Sequence, residues 1–536
     1  MQKHDKKVDV SEVTELIQAN STLAVCGFSM MGACEDILQE IERSYLNEGH
    51  PSGLTLLHAA GHSDRKNGIE HLAHEGLVDK IIGSHWGLAP TWASVISENK
   101  VEAHCLSQGQ LTHLFRDMAG GKPGTYSKAG IGTFLDPRIE GGRVNERAKE
   151  KDSLVELLHI KGEEYLFYNQ VPIDVCILRG TTADEYGNIT MEEEALKLEA
   201  LSVAQAAKRF NGKVIVQVKQ VVKRGSLPAR DVVIPGTCVD YIVVTENSID
   251  NHKQISSAVF NPMITGAMKA PDERMKEKEL SVRKVIGRRA ALELFPDAIV
   301  NLGTGIPGDT VGPVCSEEGL LDHIHLTIES GAIGGIPLGG TDFGAARNPE
   351  AIIEHPYQFD YYNGRGVDVT FMGGAEVDQN GSVNVSKFGK MTTGCGGFID
   401  ITQNAKKVVF CFTFSAGGLQ ADITDHSLNI VQEGKYHKFV DQLHQITFSG
   451  AFSQNKKQNI LYITERAVFE LTEKGLEIIE VAPGIDLERD VLDHMAFKPS
   501  ISANLKTMEA FLFNPDKMNI LDAFLEKRTK TVSIGG

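Results

Sequence analysis

The chain carries one supersecondary unit twice. Ile173 to Gly180, continuing through Asp184, Gly187 and Ile189, aligns without a gap with Val367 to Gly374, continuing through Asp378, Gly381 and Val383. In each copy an apolar, β-favouring run ends in glycine. A polar turn follows, closes on a second glycine and gives way to another apolar residue at the same separation. The pattern specifies strand–turn–strand. A weaker echo lies upstream, where Thr22 to Phe28 resembles Ala298 to Thr304, pairing Leu23 with Ile299. Each of these is preceded by a stretch with helical character, Ser11 to Ala19 and Val282 to Leu294. Leu54 to His58 then corresponds loosely to Ile324 to Ile328. A chain of 536 residues exceeds what one hydrophobic core accommodates. The repeat says how it divides: an α/β chain of two homologous domains, 1–270 and 271–536. Each is expected to be an open, mainly parallel sheet, because strands alternate with helical stretches. The junction falls within Ser248 to Leu280, where the charged run Asp272 to Glu279 reads as a solvated linker or helix face.

Charge and composition remove whole classes of function. A formal charge of −17 argues against nucleic acid or an anionic membrane as the main partner. Met1 to Val10 has no apolar core and does not read as a signal peptide. No stretch approaches the roughly 20 apolar residues of a membrane span. The eight cysteines include no C-x-x-C pair, so they read as reduced thiols of a cytoplasmic protein rather than a disulfide frame or a zinc site.

The chemistry points to Glu329. The run Ile324 to Ile328 ends in this carboxylate, and Gly331, Gly334, Gly335 and Pro337 follow. Open α/β sheets bind ligands beyond the carboxyl ends of their strands. Glycines there let a ligand approach the backbone closely. A lone carboxylate so presented suits nucleophilic attack on an activated acyl group; the plainer reading is a strand-end glutamate beside a tight turn. The matching position in the first half is near Ala59, so the repeat is chemically one-sided.

A competing motif overlaps this region. Gly303 to Gly308 matches G-x-G-x-x-G, and Glu329 stands about where a dinucleotide-binding domain places its ribose-binding acid. Pro307 weakens that reading, since it lacks an N–H where the pyrophosphate needs donors. The first-half loop Gly27 to Gly32 also loses the pattern. His323 with His325, and His71 with His74 on an expected helix, have metal-like spacing but lack a third ligand; core or surface histidine is the better reading. Cys395 reads as a small filler.

Taken together, Glu329 in its glycine setting, Asn301 to Pro307, and Gly394-Cys395-Gly396-Gly397-Phe398-Ile399-Asp400 resemble the family I coenzyme A transferases over nearly the whole chain. Arg179 to Glu185, with Glu192 to Glu194 beyond, is similar to the broad-specificity acetate or propionate branch. Ala59-Ala60 departs from the Asn-Asn pair of the succinyl-CoA:3-oxoacid branch. The resemblance implies a ping-pong exchange of coenzyme A (CoA) between short-chain acids, through an acyl–glutamyl anhydride and then a glutamyl-CoA thioester on Glu329. CoA is then substrate and covalent intermediate, with no other cofactor and no metal. It further implies oxyanion or substrate contacts from Gln108, Asn301, Gly397 and Phe398. CoA contacts would come from Gly303, Gly305, Asn384, Lys387, Gly394 and Gly396, with Lys390 nearby. Acyl-CoA and short-chain carboxylic acids would be the partners, and the assembly a homodimer or homotetramer. The alternatives are a succinyl-CoA:3-oxoacid transferase, an acyl-CoA hydrolase with water as acceptor, and, more distantly, a ligand-sensing module or a dinucleotide enzyme. Apolar Ile333, Ile336 and Phe398 disfavour water, and no basic recognition helix supports a regulator.

Overall fold

The computed structural model describes residues 6–271 and 274–532. Asp272 and Glu273 of the expected linker lie outside the described residues, as do Met1 to Asp5. Residues 274–279 carry no regular structure and are mostly exposed. The chain packs as two compact units. One comprises Met1–Ala270, Glu329–Tyr361 and Ser386–Asp400; the other comprises Pro271–Ile328, Tyr362–Val385 and Ile401–Gly536. Division by packing therefore differs from division by repeat: two segments of the second half, Glu329 among them, belong to the first unit.

The first unit is built on eight parallel strands. Their spatial order is Lys7–Val8, Tyr241–Val244, Lys213–Val218, Val175–Arg179, Thr22–Val25, Leu54–His58, Val78–Gly83 and Glu102–Cys105. The second unit repeats the middle of that order in Asn459–Ile463, Lys407–Cys411, Val369–Met372, Ile299–Leu302 and His325–Thr327, again all parallel. It extends by the antiparallel strands Ala467–Thr472 and Gly475–Val481, with Ser500–Thr507 beyond. Parallel strands are covered on both faces and so read as continuous apolar runs. Accordingly every residue of Val175–Arg179 and of Val369–Met372 is buried.

Strand pairing corrects the weaker half of the repeat by one residue. Leu23 pairs with Val175 and Thr22 with Thr55, whereas Val300 pairs with Val369 and Ile299 with His325. Leu23 thus corresponds to Val300, not Ile299. Composition alone does not separate these registers, since both strands are apolar on both faces. A one-residue slip would nonetheless turn every side chain over.

The repeated turn has a local cause. Asp184 Oδ1 accepts the N–H groups of Tyr186 (2.9 Å) and Asn188 (3.0 Å). Asp378 Oδ1 accepts those of Asn380 and Ser382, both at 2.9 Å. Gly187 and Gly381 close the two turns at φ +94° and +73°, a region that glycine enters without penalty. The same carboxylate-and-glycine device therefore joins Thr182–Asp184 to Ile189–Thr190 and Glu376–Val377 to Val383–Asn384.

Two expected helices are absent. Ser11 to Ala19 forms 3-10 turns, Val10–Glu12 and Thr14–Leu16, rather than an α-helix. β-Branched Val10, Val13 and Thr14 disfavour the α form, and Asn20 at φ +62° ends the stretch. Val282–Ala291 is α-helical as expected. His71 lies on a 3-10 turn, Gly68–Leu72, with His74 just past it. Both face carboxylates: His71 Nδ1 is 2.6 Å from Glu42 and its Nε2 3.2 Å from Glu35, while His74 Nε2 is 2.7 Å from Glu42. Burial pulls the His71 imidazole down, but hydrogen bonds and charge from Glu35 and Glu42 outweigh it and hold it at about 9.

A raised histidine stabilises the fold fully below its unfolded value, near 6.5, and loses that contribution as pH rises through about 9. His71→Gln is therefore expected to lower the denaturation midpoint at pH 6 and to matter little at pH 10. Urea titrations of both proteins across that range check it.

Candidate active site

Glu329 stands two residues beyond strand His325–Thr327, in a turn, with its side chain half-buried. The strand-end carboxylate read from the sequence is thus where it was expected. The next residue, Ser330, is buried, and its hydroxyl donates to the Gly344 carbonyl. Gly331 follows at φ +114°, and a Cβ there would lie 2.1 Å from the Ile353 carbonyl oxygen. Gly334 and Gly335 also have positive φ. Between Gly331 and Gly334, Ala332–Ile333 pairs with Ala351–Ile352, so the glycines permit close backbone crossings directly after the carboxylate. The corresponding first-half residue, Ala59, is buried, and its carbonyl accepts from the Ser84 hydroxyl.

A second constellation in the same unit gathers around Gln108, the first residue of helix Gln108–Ala119. Ser107 gives no side-chain cap to this helix. Asp400 serves instead: its carboxylate accepts the Gly109 N–H at 3.0 Å and the Gln110 amide at 2.8 Å. Burial raises the Asp400 carboxyl against these lowering contacts. The Gln108 N–H donates to the Gly396 carbonyl at 3.0 Å, tying the helix start to the second glycine loop. That loop is itself pinned, because Gly396 N–H donates to Ser84 O at 2.9 Å. A Cβ on Gly394, at φ +81°, would stand 2.3 Å from the same oxygen. Cys395 is buried with its sulfur 3.9 Å from that of Cys105, and desolvation raises its thiol well above the ordinary range. Its burial is consistent with the small filler its neutral character suggested.

Of the two backbone N–H groups expected at the oxyanion, that of Phe398 donates to Cys395 O at 3.1 Å and closes the loop. Gly397 carries no such backbone bond among the described residues. Lys387 lies on the hairpin Lys387–Phe388 with Met391–Thr392, and Lys390 is exposed at its tip.

The remaining expected residues belong to the other unit. Asn301 is fully buried; its amide nitrogen donates to Thr327 O (3.4 Å) and Tyr362 Oη (3.3 Å), and its oxygen accepts from Thr370 at 3.2 Å. Asn384 is fully buried and donates to Glu376 at 2.7 Å. These bonds make both amides bracing groups of their own sheet and hairpin. Gly303 lies under Met372, whose sulfur would be 2.9 Å from an added Cβ, while Gly305 faces open space at φ +76°. A single π turn, Pro307–Val311, follows these glycines and leads into helix Gly312–Glu317. His323 packs near Phe524, with ring centroids 6.4 Å apart, and His325 is exposed.

Sequence reasoning missed two residues. His355 Nε2 lies 2.9 Å from Gln108 Nε2, and His355 Nδ1 lies 2.7 Å from Glu199. Neither residue sits in a motif, and no spacing links them. The only local sign is Pro356, which marks a helix start.

Comparison with known proteins adds the following. Residues 9–245 match the family model described as coenzyme A transferase. The chain is 43% identical to the caffeate CoA-transferase of Acetobacterium woodii, over 97% of this chain and all of that one. It is 42% identical to the acetate CoA-transferase YdiF of Escherichia coli (strain K12), over 94% of each. The crystal structure of the acyl-CoA transferase YdiF from E. coli O157:H7 as a thioester complex with CoA superimposes with a TM-score of 0.90 at 39% identity. That match covers 96% of this chain and 98% of the other. Among the described residues no helix is long and apolar enough to cross a membrane.

Proposed function

Because the chain belongs to the coenzyme A transferase family, we propose that it exchanges CoA between short-chain carboxylic acids, with Glu329 as the group that carries CoA between half-reactions. The observation that carries the assignment is the placement of Glu329. It is a half-buried carboxylate just past a parallel strand, followed at once by glycine-dependent backbone crossings.

Glu329 attacks the acyl-CoA carbonyl, and the resulting tetrahedral oxyanion collapses by expelling CoA thiolate, which leaves an acyl–glutamyl anhydride. The thiolate then attacks the glutamyl carbonyl and releases the first acid, leaving CoA as a thioester on Glu329. A second carboxylate reverses the sequence. Each bond made replaces one of comparable energy, so neither ATP nor a metal enters. Each oxyanion needs preorganised donors, and losing one typically costs about 3 kcal/mol of barrier. The Gly397 N–H and the Gln108 amide are assigned that task. Buried Ile336 and Phe398 supply apolar surface that disfavours water as acceptor, so transfer is preferred over hydrolysis. CoA itself is the only coenzyme required, and a cytoplasmic homo-oligomer is the form we assign.

The near-equal identity to a caffeate and an acetate enzyme supports a second reading, in which the acid is aromatic. One experiment addresses both questions. Incubation with acetyl-CoA, followed by intact mass spectrometry and peptide mapping, is expected to find CoA on the Glu329 peptide. Acetate should discharge it and borohydride should reduce it. An adduct on another residue, or none, would overturn the assignment. Discharge by caffeate faster than by acetate would move the substrate to the aromatic class.

A further inference from the structure

We infer that Glu199 and His355 are positioning residues that fix which way the Gln108 carboxamide faces. The inference rests on reading Gln108 as an amide donor to the reacting carboxyl group. Three buried side chains form a directed chain: Glu199 and His355 are fully buried and Gln108 is 3% exposed. The Gln108 amide nitrogen can only donate, so His355 Nε2, 2.9 Å away, must accept. The imidazole proton then resides on Nδ1, where Glu199 receives it at 2.7 Å. With its nitrogen committed toward His355, Gln108 keeps one N–H for a ligand, and its oxygen faces Gly396, 3.7 Å from where a Cβ would stand.

The backbone around Gln108 is already held. Its backbone N–H is held by Gly396 O, and Asp400 grips the next two residues. Gly109 has no room to shift, because a Cβ there would lie 2.5 Å from Phe359 and 2.7 Å from Asp400. The side chain still has the rotation of its carboxamide about the last bond. A half-turn exchanges donor for acceptor with almost no change of shape. Packing does not distinguish those two states; a hydrogen bond of fixed direction does.

The clamp on His355 has a feature that simple packing does not require. Leu198 is buried at φ +52°, in the left-handed region that a branched side chain rarely enters. In that conformation its carbonyl accepts the His355 N–H at 3.0 Å, while the adjacent Glu199 holds the ring. Strain of this kind persists where the surroundings over-determine it. Phe359 and Phe28 flank the imidazole, with centroids 5.4 and 6.1 Å away.

The test compares two neutral substitutions. Glu199→Leu removes the acceptor for the Nδ1 proton, whereas Glu199→Gln removes the charge but keeps a carbonyl to accept it. Glu199→Leu is expected to lower kcat by about 10- to 100-fold with KM for acetyl-CoA within about threefold. Glu199→Gln should retain kcat within about fivefold of wild type. A role confined to stability would move the two variants together. In a Gln108→Ala background Glu199→Leu should add less than about twofold, since there is no amide left to orient.

Equal losses in Leu and Gln, or the same Glu199→Leu loss in both backgrounds, would overturn the relay. So would an unchanged kcat in Glu199→Leu when Gln108→Ala is impaired, an outcome that leaves the role of Gln108 intact. Full activity in Gln108→Ala would instead remove the premise. If Glu199→Leu does not fold, His355→Gln and His355→Leu carry the same comparison. A glutamine oxygen reaches the Nε2 position and accepts from Gln108, and a leucine does not.

Discussion

Glu329→Ala is expected to lower CoA transfer by on the order of ten-thousand-fold or more, with the circular dichroism spectrum of the wild-type fold. In the proposed exchange the loss of the carboxylate removes both the anhydride and the thioester, and what remains is binding alone. Glu329→Asp separates nucleophile from mere charge. It stays ionised but retracts the reacting oxygen by one methylene, and a misplacement of about 1 Å costs about 100-fold. Steady-state transfer from acetyl-CoA, read beside adduct formation by mass spectrometry, checks both. Undiminished turnover in Glu329→Asp would reduce the residue to an electrostatic bystander.

The second large effect comes from a residue with no reactive group. Gly331→Ala is expected to lower kcat at least about 100-fold and to destabilise its unit by about 1–3 kcal/mol. At φ +114° an alanine is strained, and its methyl would lie 2.1 Å from the Ile353 carbonyl oxygen. The Gly331 carbonyl also accepts the Ile353 N–H at 2.9 Å, so relief of the overlap breaks that crossing and moves Glu329, two residues away. Gly339→Ala is the control. Its φ is −114°, and an added Cβ meets nothing within 4 Å, so melting point and kcat should hold. Equal behaviour of the two variants would mean that the loop tolerates displacement.

The sequence was most legible where cause was local. The Asp184–Gly187 and Asp378–Gly381 turns are written in four residues each, and the parallel strands announce themselves as unbroken apolar runs. The strand-end position of Glu329 was legible because a strand end and three glycines are short-range signals. Legibility failed where the cause lay across the chain. The register of Thr22–Val25 depends on its neighbours, since both its faces are apolar, and so it read one residue out. Asn301 and Asn384 matched family positions, but their partners, Tyr362 and Glu376, are set by the tertiary fold. Glu199 and His355 are 156 residues apart and meet only after folding. The membership of 329–361 and 386–400 in the first unit is of the same kind, because packing partners leave no mark on periodicity.

That membership has a consequence for how the protein is made. Synthesis from the amino terminus delivers residues 1–270 first, yet the unit they belong to is complete only at Asp400. At about 5–20 residues per second, the 130 residues from 270 to 400 take roughly 7–26 s to emerge. During that interval the places filled by later segments stand open. Phe28 lacks the ring of Phe343, and Gln108 lacks both the imidazole of His355 and the carbonyl of Gly396. The nascent first half is an unfinished fold rather than a waiting domain, and the segment that completes it brings Glu329 with it.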